Sequence, residues 1–233
     1  MSSQRFITFD ASPDPIQVDA DQTAVIVVDM QNAFAKRGGY MDLAGYDISK
    51  TEHIIEPCRK IITVSRKSGI KIIYFQMGCS SDMSEVGAEG SPFYRKSKGI
   101  DLIRKNPEFK DKSYIYGTWG AEIIDELRPR DEDIVIKKQR YDGFIGTNLE
   151  LVLSTLGIRF LIFIGTATNV CVESTLRHAF FLDYYPILVS DAVSALGADI
   201  LQEATVHNVQ AKFGWVISVE KLVEGVDRAA TKQ

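Results

Sequence analysis

Three side chains in this sequence stand where catalysis is feasible. Asp29 follows the β-branched run TAVIVV, Lys138 follows DIVIK, and Cys171 follows FLIFIG through the turn TATNV. In parallel α/β sheets ligands bind beyond the carboxyl ends of strands, and each of these residues lies at such an end. A carboxylate at Asp29 has lost much of its water, which raises its pKa unless a cation sits nearby. The position equally suits an N-cap for the next segment. Lys137 and Lys138 alternate along their strand, so one points to each face; two solvated lysines would look the same. Cys171 opens VCVESTLRHAFF, with Thr168 or Asn169 available as a cap. A thiol in a first helical turn feels the positive end of the dipole, which lowers its pKa. The N–H groups there can also hold an oxyanion. The bland alternative is a small buried hydrophobe, the usual fate of a free cysteine.

Short β-branched runs alternate with longer amphipathic stretches. Strands are expected at Thr23–Asp29, Ile70–Gln76, Asp133–Lys137, Phe160–Gly165, Ile187–Ser190 and Trp215–Val219. Most are continuously apolar, as strands covered on both faces are. Helices are expected at Ile54–Ser68, with Pro57 in the first turn, and along Leu149, Val152, Leu153 and Leu156, ended by Gly157. Two more are expected along Val172, Leu176, Ala179 and Phe180, and over Ile200–Phe213. The alternation implies a parallel sheet with helices on both faces; strand order does not follow from it. Residues 1–20, with Pro13 and Pro15, read as an extended arm, and 21–233 as one domain. Residues 77–119 interrupt the pattern with five Gly and a basic cluster of Arg95, Lys96, Lys98, Arg104 and Lys105. Such an insertion suits a lid or an oligomer interface.

Composition narrows the function. With 45% apolar and 25% charged residues in 233, the chain is ordinary globular protein. Its net charge of −4 gives no footprint for nucleic acid, and no apolar run approaches the roughly 20 residues of a membrane span. The N-terminus has no apolar signal core. Cys58, Cys79 and Cys171 lack CxxC spacing, so neither a disulfide scaffold nor a zinc knuckle is expected. Cys58 lies on an apolar helix face and reads as core. A reduced, cytoplasmic enzyme is the expectation. His53, His178 and His207 all fall inside helical stretches, away from strand ends, which disfavours a Cys–His–Asn arrangement. No HExxH, Walker or GxGxxG motif appears, so no metal and no cofactor are expected.

Together and in this order, VIVVDMQNAF around Asp29, Lys138 after the third strand, and GTATNVCVEST around Cys171 resemble the isochorismatase-like cysteine hydrolases. The resemblance runs from about residue 20 to 220. It implies a three-layer α/β/α fold with a six-stranded parallel sheet. It also implies Cys171 as nucleophile, Asp29 as proton shuttle, Lys138 as their supporting cation, and an oxyanion hole from the N–H groups of Ala167 and Cys171. A cis Thr166–Ala167 bond is implied as well. The stretches GGYMDLAGYDIS, GSPFYRKS, GTWGAEIIDEL, KQRYDGF, ATNVCVESTLRHAFFLDYY and FGW resemble the ureidoacrylate amidohydrolases of pyrimidine breakdown in particular. In FQMGCSSD, however, Met77 and Cys79 stand where that subgroup has a polar side chain and a Trp. The Asp-x-His metal element of nicotinamidases is absent there.

The implied activity is cysteine-dependent cleavage of a C–N bond in a small ureido or amide compound, ureidoacrylate first. Biuret, a carbamoyl amino acid or an aryl amide is the alternative substrate, and a non-catalytic or redox-sensing member of the fold a distant one. Phe34, Trp119, Tyr141, Phe144 and Val170 are candidate pocket walls, each also a plausible core residue. Asn169 is a candidate donor to substrate or a helix cap, and Lys96, with Arg95, a candidate partner for a substrate carboxylate. The family implies a homo-oligomer, dimer or tetramer.

Overall fold

The computed structural model describes residues 5–231. After a hairpin of β1 (Phe6–Phe9) and β2 (Ile16–Asp19) come six strands: β3 (Thr23–Val28), β4 (Lys71–Met77), β5 (Ile134–Lys138), β6 (Phe160–Thr166), β7 (Tyr185–Ser194) and β8 (Trp215–Ile217). These six form one sheet in the order β5-β4-β3-β6-β7-β8, every pair parallel. All six expected strands are present, with ends moved by a few residues. The last is shorter than expected because Ser218 caps a helix: its side chain accepts a bond from the Lys221 N–H.

Six helices matter here: α1 (Ile55–Lys67), α2 (Lys98–Lys105), α3 (Leu149–Thr155), α4 (Glu173–Phe181), α5 (Asp199–Asn208) and α6 (Val219–Ala230). Pro57 falls in the first turn of α1, where its missing N–H costs nothing. Gly157, at φ 66°, follows α3 in the left-handed conformation that ends helices. α6, not among the helices expected from sequence, shows the same periodicity, with Val219, Leu222 and Val226 buried.

All six residues of β3 are buried, as a strand between two helical layers requires. On one face, Val25 and Val27 pack with Ile61, Ile62, Leu222 and Val226 of α1 and α6. On the other, Ala24, Ile26 and Val28 pack with Leu149, Leu153, Leu176 and Ala179 of α3 and α4. This is the three-layer α/β/α arrangement. Cys58 lies in the first of these cores, fully buried.

The expected arm over 1–20 is instead the β1–β2 hairpin, residues 1–4 lying outside the described residues. Alternation explains the difference: Ile7 and Phe9, then Ile16 and Val18, face inward and join the first core. Ser12 in the connecting loop exchanges two backbone hydrogen bonds of 2.9 Å with Val216, covering the outer edge of β8. Residues 78–133 hold only short helices and turns. They close a third cluster, in which Phe34, Tyr40 and Met77 meet Ile100, Ile103 and Tyr114. Among the described residues, no helix is long and apolar enough to cross a membrane.

Candidate active site

Strand order reverses at β3: the chain moves outward through β4 to β5, then returns to place β6 on the other side of β3. Such a switch point leaves a crevice beyond the carboxyl ends of the two central strands. Asp29 leaves β3 there and Cys171 follows β6. Gly165 permits the close approach of these strands, since a Cβ at that position would lie 2.2 Å from the Val28 carbonyl oxygen. Its φ of 109° also favours glycine.

Asp29 takes a left-handed φ of 50°, a conformation Asp tolerates better than most residues. It does not cap the next helical turn, where Gln31 holds the N-cap position. Gln31 instead fastens the end of β3 to its neighbours. Its Nε2 donates to the carbonyls of Met77 (2.8 Å) and Ala121 (2.9 Å), and its Oε1 accepts from the Met77 N–H at 2.8 Å.

Lys138 is fully buried, whereas Lys137 faces outward over the Tyr116 ring. The Lys138 ammonium lies 2.8 Å from Asp29 Oδ2. It donates to the carbonyls of Arg140 (3.1 Å) and Tyr141 (3.4 Å), and Met77 Sδ stands 3.5 Å away.

Cys171 sits in a single wide turn, Thr168–Val172, that runs directly into α4. The expected side-chain cap is absent. The Ala167 carbonyl accepts from both the Val170 and Val172 N–H groups, at 3.0 and 3.1 Å, and closes the turn through the backbone. The Thr166–Ala167 peptide is cis. Asn169 spends its amide on the facing loop: Nδ2 donates to the Leu196 carbonyl (3.2 Å) and Oδ1 accepts from the Leu196 N–H (3.0 Å).

Burial governs the electrostatics. It pushes the Cys171 thiol up, against the lowering effect of Lys138. The helix-terminal depression expected from sequence is outweighed. Burial likewise lifts the Asp29 carboxyl above its ordinary 3.8, with Lys138 opposing. For Lys138 burial disfavours charge, but Asp29 and Cys171 outweigh it and hold the ammonium above 10.5. The arrangement thus sets a buried ammonium against a desolvated carboxyl, next to a buried thiol, groups whose pKa values burial and charge push in opposing directions. The other cysteines are poorly suited to redox sensing: burial pushes Cys58 up, and Cys79 up to about 11.

Asp29, Ala167 and Cys171 open into a pocket of about 290 Å³. Of the candidate contacts, Phe34, Lys96, Tyr141, Asn169 and Val170 line it. Trp119 and Phe144 do not. Trp119 is 38% exposed beneath Lys112, and Phe144 packs on His178 and Tyr184 behind the site. Of the two departures in FQMGCSSD, Met77 reaches the pocket, while Cys79 is buried in the third cluster. Arg95 stays outside it.

Tyr40, Tyr46, Tyr114 and Lys98 complete the walls and were not singled out as contacts. Tyr40 and Tyr46 stand in GGYMDLAGYDIS, a stretch legible as a motif but not as a wall. Tyr114 stacks on Phe34 at 5.8 Å and bonds Ser97 Oγ at 2.6 Å. Lys98 lies over the Tyr46 ring at the rim. Among the described residues, no cluster of three or more His, Cys, Asp or Glu is placed to hold a metal ion.

Comparison with known proteins places this geometry in context. The family described as Isochorismatase domain matches residues 23–221. The ureidoacrylate amidohydrolase RutB of Rhizobium rhizogenes is 46% identical over 224 residues, covering 96% of this chain and 91% of that protein. A cysteine hydrolase from Pseudomonas syringae pv. phaseolicola superimposes with a TM-score of 0.77 at 25% identity, over 98% of this chain and all of that one. N-carbamoylsarcosine amidase from Thermoplasma acidophilum gives 0.63 at 27% identity, over 85% and 98% of the two chains.

Proposed function

The chain belongs to the isochorismatase domain family, and from that membership and the site's geometry we propose that it is a cysteine-dependent amidohydrolase acting on ureidoacrylate or a close ureido acid. The observation that carries the reading is Asp29 and Cys171 on one small pocket, with the buried Lys138 ammonium 2.8 Å from the Asp29 carboxylate. The 46% identity to a ureidoacrylate amidohydrolase over nearly the whole chain supports the substrate.

Asp29 takes the Sγ proton as the Cys171 sulfur attacks the ureido carbonyl. The N–H groups of Ala167 and Cys171 hold the oxyanion; one such donor is worth about 2.7–4 kcal/mol. Asp29 then returns the proton to the departing nitrogen, and the carbonyl carbon stays on sulfur as a thioester-type intermediate. A water that gives its proton to Asp29 releases it and restores the thiol. Lys138 keeps Asp29 ionised despite burial. Lys96 and Lys98 at the rim meet the substrate carboxylate, and the Phe34, Tyr40 and Tyr114 rings enclose its planar body.

The same reading includes a cytoplasmic setting, supported by three unpaired thiols, and a dimer or tetramer, supported by exposed Phe181, Leu151 and Ile200. The test is ammonia and carbon dioxide release from ureidoacrylate or ureidopropionate, biuret, nicotinamide and an aryl acetamide, each beside Cys171→Ser. Turnover of the ureido acids alone is expected. Turnover of biuret or the aryl amide instead would keep the nucleophile and move the substrate. Turnover unchanged in Cys171→Ser would remove the mechanism.

A further inference from the structure

We propose that Thr175 is a positioning residue that sets Lys138 against Cys171 by tying the nucleophile's own peptide to the loop that holds the lysine. Thr175 lies one turn after Cys171, fully buried. Its hydroxyl donates to the Cys171 carbonyl at 2.8 Å and accepts from the Gly143 N–H at 2.9 Å. A hydroxyl has one proton to give and lone pairs to receive, and both capacities are used here. Two residues upstream of Gly143, the Tyr141 carbonyl accepts from the Lys138 ammonium, as does that of Arg140. The path from cation to nucleophile therefore runs Lys138 Nζ, Tyr141 O, Gly143 N, Thr175 Oγ1, Cys171 O.

Two observations bear on how the loop is held. Gly143 is clamped, because a Cβ there would lie 2.4 Å from the Phe75 ring and 3.1 Å from Thr175 Cγ2. The loop is also tied to α4 through His178, whose Nδ1 lies 2.6 Å from Asp142 Oδ2 and whose ring packs on Phe144 at 4.8 Å. Thr175 and His178 are three residues apart, hence on one helix face. That second tie holds Asp142, whose Oδ1 accepts from the Phe144 N–H. Of these ties, the Thr175 hydroxyl is the one that also bonds the Cys171 carbonyl. The position of Lys138 relative to Asp29 is set across the sheet by β5 and β3; relative to Cys171 it is set by this hydroxyl.

The inference rests on the catalytic roles proposed for Lys138 and Cys171, and its test separates the two. Thr175→Val keeps the shape and removes the hydroxyl; Thr175→Ser keeps the hydroxyl. The valine variant should lose about 10- to 100-fold in kcat, the scale of a misplacement near 1 Å, with KM little changed. The pH profile of Cys171 alkylation by iodoacetamide should move to higher pH. The serine variant should retain most of the parent kcat and the parent profile. Alkylation needs no substrate, so it reports on positioning even if ureidoacrylate is not turned over. A valine variant with parental kcat and alkylation profile would overturn the proposal. So would a serine variant as impaired as valine. Should the valine variant not fold, Thr175→Ala takes its place under the same criteria.

Discussion

Lys138 Nζ reaches Asp29 Oδ2 at 2.8 Å across an intervening strand, and both side chains are closed to solvent, at 0% and 2% exposure. Their strands, β5 and β3, are not neighbours; β4 lies between them, with Met77 in register with Lys138. Desolvating two opposite charges is costly, and such a pair persists only with good geometry and further hydrogen bonds. Arg140 and Tyr141 supply those bonds to the ammonium.

Replacing Cys171 tests the proposed nucleophile. Cys171→Ser should lower kcat by at least about 10³-fold, since a serine hydroxyl has no base here strong enough to replace thiolate chemistry. Substrate binding, measured by calorimetry, should stay within about threefold because the walls are untouched.

The pH profile follows from Asp29. Burial holds its carboxyl above 3.8, and the base must be ionised to act. The acid limb of kcat/KM should therefore lie above the ordinary carboxylate value, with the rate rising as pH passes through it. Stability runs the other way for this group. The folded state holds the Asp29 proton more tightly than the unfolded state, so its contribution declines as pH climbs from 3.8 through the raised value. Lys138 adds stability that is fully present below 10.5 and lost as pH passes through its raised folded value. A pH–rate series together with urea unfolding at several pH values checks both.

Lys138→Ala leaves Asp29 buried without its cation. At pH 8 the variant should be about 3–5 kcal/mol less stable, the range for removing one member of a buried pair. The loss should shrink at acid pH, because protonating Asp29 removes the unpaired charge. Urea denaturation at pH 5 and pH 8 measures the difference; equal losses at both would contradict the assignment. Alkylation of Cys171 at neutral pH should slow as well, since Lys138 lowers the thiol pKa.

The rim lysines should affect selectivity rather than chemistry. Lys96→Ala and Lys98→Ala should each raise KM for a ureido acid by roughly three- to tenfold and leave biuret, which has no carboxylate, unaffected. Added salt should weaken the wild-type preference, because both lysines are exposed to solvent. Equal KM changes for both substrates would argue against carboxylate recognition at the rim.

Much of this molecule was legible in its sequence, for local reasons. Continuously apolar β-branched runs marked most strands of the sheet, because a strand covered on both faces has no polar alternation to retain; β5, with Val135 and Lys137 exposed, was marked by its β-branched residues alone. Asp29, Lys138 and Cys171 were legible as strand-end residues, and their order carried the family resemblance. The hairpin at Ile7–Val18 was missed because prolines in its loop masked a short alternating pattern.

What the sequence could not supply depended on long-range packing. Whether Lys137 or Lys138 turns inward is a question of register, fixed by pairing with β4. For Cys171 the helix start favours a thiolate whereas burial pushes the thiol up, and burial is a property of the whole fold. Phe144 and Trp119 were plausible walls by type and proximity in sequence. The tertiary structure sent one behind α4 and the other to the surface, and recruited Tyr40, Tyr46 and Tyr114 instead. Residue type and strand-end position nominated the candidates for chemistry; the fold put Asp29 and Cys171 on one solvent-poor pocket and Lys138 against Asp29, because packing alone sets distance and dielectric.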